Sequence, residues 1–247
     1  MKLVNKVKFL NIQEYWFCNE KEEIGNCLFS LSVYRDSRVK LNKSFCTQER
    51  KWTLVTDLLV DKEEIFKQFS SNLRNEIRKV QKLENVVVSY NEIDKETFIN
   101  FYNDFAKEKQ LDRLNERRLN KYGNNLLFIS AKLDNELTNI QVYIIDKVFK
   151  ISRLLYSVST IHGLEDKIKR NQIGWINKAL HWYTIEYLQS CYRLEVFDWG
   201  GYSNDKNNKA LAGIDKFKKS FGGELIEIYD YKSFLFYLLE KIRKKVK

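Results

Sequence analysis

The chain has 247 residues, of which 44% are apolar and 14% aromatic; 31% are charged, with both signs mixed, and the net charge is +10. That composition is enough for a sizeable core and excludes an intrinsically disordered chain. No apolar stretch reaches the roughly 20 residues of a membrane span, and those at the start are too short for a signal-peptide core, so a soluble cytoplasmic protein is expected. The two histidines, His162 and His181, and four cysteines without the two-residue gap of a zinc or redox motif exclude a histidine-rich metal site, and no metal is expected.

The charge fits three kinds of partner: nucleic acid, a polyphosphate such as coenzyme A or a nucleotide sugar, or an anionic membrane surface. The lysines are scattered through every segment, which favours a generally basic surface over one binding stripe.

No linker rich in Gly, Ser or Pro divides the chain, and no internal repeat occurs. Residues 1–60 read as a β-rich extension with strands at 26–34 and 52–58, packed on a main domain at 61–247. A long helix is expected over 62–82, where Ile65, Phe69, Leu73, Ile77 and Val80 step by four or three along one face. A strand at 85–90 and a helix at 95–109, with Asp94 as N-cap, follow. Runs at 126–133, 138–146 and 149–158 form an antiparallel meander. A helix at 165–189 then buries Ile173, Ile176, Leu180, Tyr183 and Tyr187, and a strand at 194–198 ends in Trp199-Gly200-Gly201. A helix at 205–221 is expected to bury Leu211, Ile214, Phe217 and Phe221 and to stop at Gly222-Gly223. A strand at 224–229 and a basic helix at 234–245 close the chain. This order gives an α/β (α+β mixed) fold, a mixed sheet with helices on its faces. It lacks the G-x-G-x-x-G turn of a doubly wound dinucleotide fold.

Three pieces of sequence carry a family resemblance. They are Ser71–Lys82 (SNLRNEIRKVQK), Phe197-Asp198-Trp199-Gly200-Gly201 preceded by Asn177–Trp182, and Gly213–Gly223 (GIDKFKKSFGG). Together they resemble the FemAB-like branch of the GNAT acyltransferase superfamily over about residues 66–231. The resemblance implies a GNAT-like fold and an N-acyltransferase. The branch includes enzymes that extend peptidoglycan peptides from aminoacyl-tRNA and smaller acyl-CoA enzymes acting on amino sugars. With one domain, this chain is more similar to the second kind. The expected reaction is therefore acyl transfer from coenzyme A to a nucleotide-linked, dTDP-type amino sugar for O-antigen or capsule. The aminoacyl-tRNA-dependent reaction is the alternative, and a non-catalytic nucleic-acid-binding protein is a further one. A homodimer is compatible with this class.

The resemblance also assigns residues. A splay between strands 149–158 and 194–198 would admit the pantetheine arm, with backbone N–H groups near Tyr156, Ser157 and Val158 polarising the carbonyl. The helix start at Lys169, Arg170 and Gly174 would hold a pyrophosphate, although Arg170–Trp175 has only one of the glycines that the family loop carries. Asp198 would take the amine's proton, or else cap the Gly200-Gly201 turn. Arg74 and Arg78, four apart, share a helix face and would grip the acceptor's diphosphate, or else be solvated. Trp199 and Tyr202 would stack on a sugar or base, or else be core or rim aromatics, and Lys218 would line the acceptor cleft, or else be solvated. His181 reads as a core residue.

Overall fold

The computed structural model describes residues 1–7, 10–19, 30–40, 46–161, 164–205 and 207–245. His162 and the first part of the strand expected at 26–34 lie outside them. The chain divides into two compact units, one of residues 1–53, 201–212 and 225–247, the other of residues 54–200 and 213–224.

In the first unit the strands run in the order β1 (Lys2–Val7), β2 (Leu10–Trp16), β3 (Ser32–Ser37), β10 (Glu224–Ser233) and β4 (Cys46–Asp57). β1 and β2 pair antiparallel, β2 and β3 parallel, and β3 and β10 antiparallel with an irregularity between Tyr229 and Tyr231. Asp230 sits at that irregularity, buried. It accepts from Arg35 at 2.9 Å, from Lys51 at 2.5 Å and from the Asp36 N–H at 3.0 Å. A buried carboxylate is tolerable only when satisfied in this way.

The second unit holds the larger core. Its sheet runs β4, β9 (Val196–Tyr202), β8 (Ile151–Ser159), β7 (Glu136–Asp146), β6 (Leu126–Leu133), β5 (Val86–Tyr90). Neighbours β5 to β8 pair antiparallel, and β8 pairs β9 in parallel. Side chains alternate across this sheet. Leu127, Ile129, Tyr143 and Ile145 pack with α1 (Lys62–Gln68), α2 (Ser71–Val80) and α5 (Lys167–Tyr187). Phe128, Ile140, Val142 and Val158 pack with α3 (Lys95–Glu108) and α4 (Glu116–Asn120) on the other face. The mixed α/β architecture expected from the sequence, a mixed sheet with helices on its faces, is the one observed.

Several expected elements need correction. The helix expected at 62–82 is two helices: Phe69 is extended (φ −65°, ψ 145°) and Ser70 caps α2 by accepting from the Leu73 N–H. The break is silent in the periodicity because both helices bury the same face. The strand expected to stop at Asp198 continues to Tyr202, and α5 ends in a π-helical turn, Leu188–Tyr192. On α6 (Lys209–Lys219), Leu211 and Ile214 are exposed. Burial is carried instead by Asp215, the half-buried Phe217 and, just beyond the helix, Phe221.

Gly222 and Gly223 have positive φ, 74° and 86°, and explain the end of the FKKSFGG segment. Phe221 enters the core, and a Cβ on Gly223 would come within 2.5 Å of the Val55 carbonyl oxygen. Gly213, inside α6, has nothing within 4 Å of such a Cβ. Gly223→Ala is therefore expected to destabilise by at least about 2 kcal/mol, from left-handed strain plus the clash. Gly213→Ala should stabilise by about 0.5–1 kcal/mol. Denaturant unfolding of the two variants checks both signs.

Candidate active site

Strands β8 and β9 are in register over three residues only, Ile151↔Val196, Ser152↔Phe197 and Arg153↔Asp198. Both strands then continue, β8 to Ser159 and β9 to Tyr202, without further pairing to each other. Two irregularities lie at the parting. The β7–β8 register jumps from Tyr143↔Leu154 to Val142↔Tyr156, leaving Leu155 as an extra residue, a β-bulge. Such a bulge bends its strand and re-aims its neighbours. On β9, Gly200 has φ 77°, a left-handed conformation that glycine adopts without strain, and a Cβ there would lie 3.2 Å from the Leu154 carbonyl oxygen. Residues 153–157 are half-buried although β8 is an interior strand, as a parted neighbour requires.

Charges of both signs gather at the parting. Asp198, 2% exposed, accepts from the Gly200 N–H at 2.7 Å through Oδ1, and its Oδ2 faces Arg153 at 3.7 Å. The Lys218 Nζ lies beside Gly200, 3.7 Å from where a Cβ would stand. Burial, reinforced by the Arg153 charge, pushes the Lys218 ammonium down to about 8, against the opposing pull of Asp198 and Asp215. The arrangement can hold and polarise a carbonyl: a cation next to unpaired strand backbone is the donor set that an oxyanion needs.

The expected site residues fall into three groups. The structure brings Asp198 and Lys218 together. The Asp198 carboxylate holds the Gly200 turn, the second of the two roles its position suggests. Tyr156, Ser157 and Val158 lie in the half of β8 that pairs with β7 but not with β9, with side chains already engaged. Tyr156 packs on Phe98 and Tyr102 at 5.5 and 5.4 Å, Val158 is in the core, and the Ser157 Oγ donates to Asn177 Oδ1 at 3.0 Å. Their backbone pairs with β7 on one edge and has no β9 partner on the other.

Trp199 is corrected. It is fully buried against Phe197 and Phe221, with its indole N–H donating to Thr56 Oγ1 at 2.9 Å, and does not line a cleft. Tyr202 ends β9, half-buried, in the first unit. Arg74 donates to the Lys67 carbonyl at 2.7 Å, covering the end of α1, and the Arg78 guanidinium lies over the Phe66 ring at 5.6 Å.

The pyrophosphate cradle expected at the start of α5 does not fit. The Asp166 carboxylate caps that end, accepting from the Ile168 and Lys169 N–H groups at 2.8 and 3.1 Å, and the Lys169 Nζ pairs with Glu136 at 2.6 Å. A carboxylate at the helix end opposes a phosphate there. Arg170 and Gly174 instead line a cleft of about 410 Å³ with Glu76, Leu164, Trp175 and Lys178.

The sequence reading missed a buried polar ladder beside the site. Along β7, Asn139 and Gln141 donate to the carbonyls of Ile173 and Asn177 on α5, at 3.3 and 2.9 Å. Because the Gln141 amide N–H faces a carbonyl, its Oε1 is turned to Tyr143 and accepts that hydroxyl at 2.6 Å. The Tyr143 oxygen then accepts from His181 Nδ1 at 2.9 Å. That leaves His181 Nε2 unprotonated, buried and without a partner among the described residues. Burial, and secondarily the Lys218 charge, hold His181 down to about 3 from its ordinary 6.5. Neutral His181 thus supports folding above about pH 6.5, and that support is lost as pH falls from 6.5 toward 3, because the unfolded chain binds the proton first. Its slope is up to about 1.4 kcal/mol per pH unit. Between pH 7 and 5, denaturant unfolding of His181→Gln should show a shallower pH dependence than the parent chain.

No protein-family model matches the chain, and no curated protein matches it. Solved structures do. The crystal structure of FemX superposes with a TM-score of 0.66 at 12% identity, covering 98% of this chain and 85% of its own. The C-terminal domain assigned to a lysylphosphatidylglycerol synthetase of Agrobacterium fabrum gives 0.55 at 8% identity, over 85% and 71%. L-PGS from Bacillus licheniformis gives 0.51 at 12%, over 82% and 68%. At these identities the likeness is one of architecture: the chain has the fold of FemX.

Proposed function

We propose that the chain is an acyltransferase that moves an aminoacyl group from an aminoacyl-tRNA ester to an amine. The observation that carries the reading is the parting of β8 and β9 with the half-buried Lys218 ammonium beside it. Three further points support the donor class. The chain resembles FemAB-like enzymes in the DWGG and FKKSFGG segments. One structure of the same fold is the C-terminal domain assigned to a lysylphosphatidylglycerol synthetase. The net charge of +10 suits a polyanionic donor.

In this reaction the amine nitrogen bonds to the ester carbonyl carbon, the ester C–O bond breaks, and one amine proton ends on the departing ribose oxygen. The carbonyl oxygen gains charge on the way. Lys218 and the edge of β8 that has no β9 partner meet that charge. Asp198 and Asp215 keep Lys218 charged despite its burial, and Asp198 holds Gly200 so that the backbone stays open.

A second reading is acyl transfer from coenzyme A to a dTDP-linked amino sugar, with Arg74 and Arg78 on the acceptor. The cleft at Arg170, Gly174 and Trp175 favours it, whereas the capped start of α5 does not. Incubation with charged tRNA and, separately, with acetyl-CoA decides. Amine-dependent deacylation of the tRNA supports the first reading, thiol release the second, and the absence of both overturns the acyltransferase reading.

The role of Lys218 has a pH signature. Its protonated form is the active one, so kcat/KM should fall as pH rises through about 8. Lys218→Ala should lose on the order of a hundredfold to a thousandfold. Lys218→Arg, charged throughout, should remove the descending limb of the profile. Asp198→Asn should move the limb to lower pH, because Asp198 is one of the groups that raise Lys218. A loss on the order of a hundredfold or more at every pH would instead make Asp198 the general base.

A further inference from the structure

The C-terminal helix α7 (Phe234–Lys245) belongs to the first unit and takes no part in the site above. Its Phe234, Leu235, Leu238, Leu239 and Ile242 are 36–52% exposed. They step by one and three, so they form a single stripe along the helix. Phe236, Tyr237 and Glu240 are half-buried and mark the packed face. A helix that hid its apolar side in a core would show the reverse.

Charge is distributed just as unevenly. Glu240 is the one acid of the helix sequence, and it is paired with Lys232 at 2.7 Å. The bases are Lys241, Arg243, Lys244 and Lys245. At 100° per residue, Lys241 falls at a margin of the apolar stripe, with Glu240 on the far side. The Lys241 Nζ lies over the Tyr237 ring at 4.7 Å. An apolar stripe on a helix whose sequence carries four bases and one acid, with that acid turned away, is the pattern of a helix lying in a membrane interface. Apolar side chains enter the acyl boundary, and lysine stems lift their charges to the phosphates. A protein groove would need the same apolar contact but gives no reason for that excess of bases in the helix sequence. The net charge of +10 adds a long-range pull toward an anionic surface.

We infer that α7 docks the protein flat on an anionic lipid surface through Phe234, Leu235, Leu238, Leu239 and Ile242. The inference does not depend on the reaction proposed above. Flotation of the full chain with vesicles tests it, using phosphatidylcholine alone and phosphatidylcholine mixed with phosphatidylglycerol. The parent chain should float with the anionic vesicles and not with the neutral ones, and raised salt should weaken binding without abolishing it. The double variant Leu238→Glu, Ile242→Glu should bind on the order of tenfold less, with its circular dichroism and melting temperature kept, since both positions are exposed. Failure of the parent chain to float overturns the inference. So does equal flotation of the double variant, which would show adsorption by general charge. A parent chain that dimerises without floating, while the double variant is monomeric, also overturns it by assigning the stripe to a second copy of this chain.

Discussion

The candidate site depends on one constraint: two parallel strands pair for three residues and then separate while both continue. A sheet normally closes such a gap, because unpaired backbone groups in an interior are costly. Here closure is blocked from both sides. On β8 the extra residue Leu155 breaks the ladder and bends the strand. On β9 the left-handed Gly200 redirects the chain, and its N–H is taken by Asp198, so it is not offered to a neighbouring strand. The neighbouring residue Trp199 anchors β9 in the core through Thr56 and Phe221, so the strand cannot relax toward β8.

Electrostatics follow from that geometry. Arg153 and Lys218 bring two positive charges to a poorly solvated place, and Asp198 and Asp215 bring two negative ones. An uncompensated charge there would cost several kcal/mol, so the group is held near neutrality as a whole. Desolvation and Arg153 push Lys218 toward the neutral amine; the carboxylates pull it back. The outcome, close to 8, keeps the ammonium the main form near neutral pH while leaving it a less hydrated and therefore stronger electrostatic partner than a surface lysine.

Much of the frame was legible in the sequence. The helix capped by Asp94, the meander, and the closing helix at 234–245 were readable from period and cap residues. The site was legible only as a set of motifs. Gly200-Gly201 reads as the end of a strand, since glycine usually terminates one, whereas here it bends a strand that continues. Trp199 reads as a ligand-stacking, rim or core aromatic alike, and only its place in the folded strand turns it inward. The bulge at Leu155 leaves no trace, because one extra leucine in Arg153-Leu154-Leu155-Tyr156 fits either register. The lysine and arginine at the start of α5 read as a phosphate site. The Asp166 cap and the Glu136 partner, 33 residues from Lys169, become visible only in three dimensions.

The polar ladder between β7 and α5 was likewise invisible, since Asn139, Gln141 and Tyr143 alternate as a solvent-facing strand edge would. Its physical value lies in direction. Apolar packing alone would let α5 shift along the sheet by a turn, about 5.4 Å, at modest cost. Hydrogen bonds from residues two apart on the strand to residues four apart on the helix match in one register only. A slip would leave several buried donors unsatisfied at about 1–3 kcal/mol each. Asn177 belongs to both sides of this arrangement: its carbonyl starts the chain of donors that ends at neutral His181, and its side chain accepts from Ser157. Ser157 lies in the part of β8 that has no β9 partner. The register of α5 is thereby transmitted to the strand segment that faces the parting, which is held against the helix. How a helix on the sheet's face is locked thus bears on the segment beside the opening, together with the two irregularities at its apex.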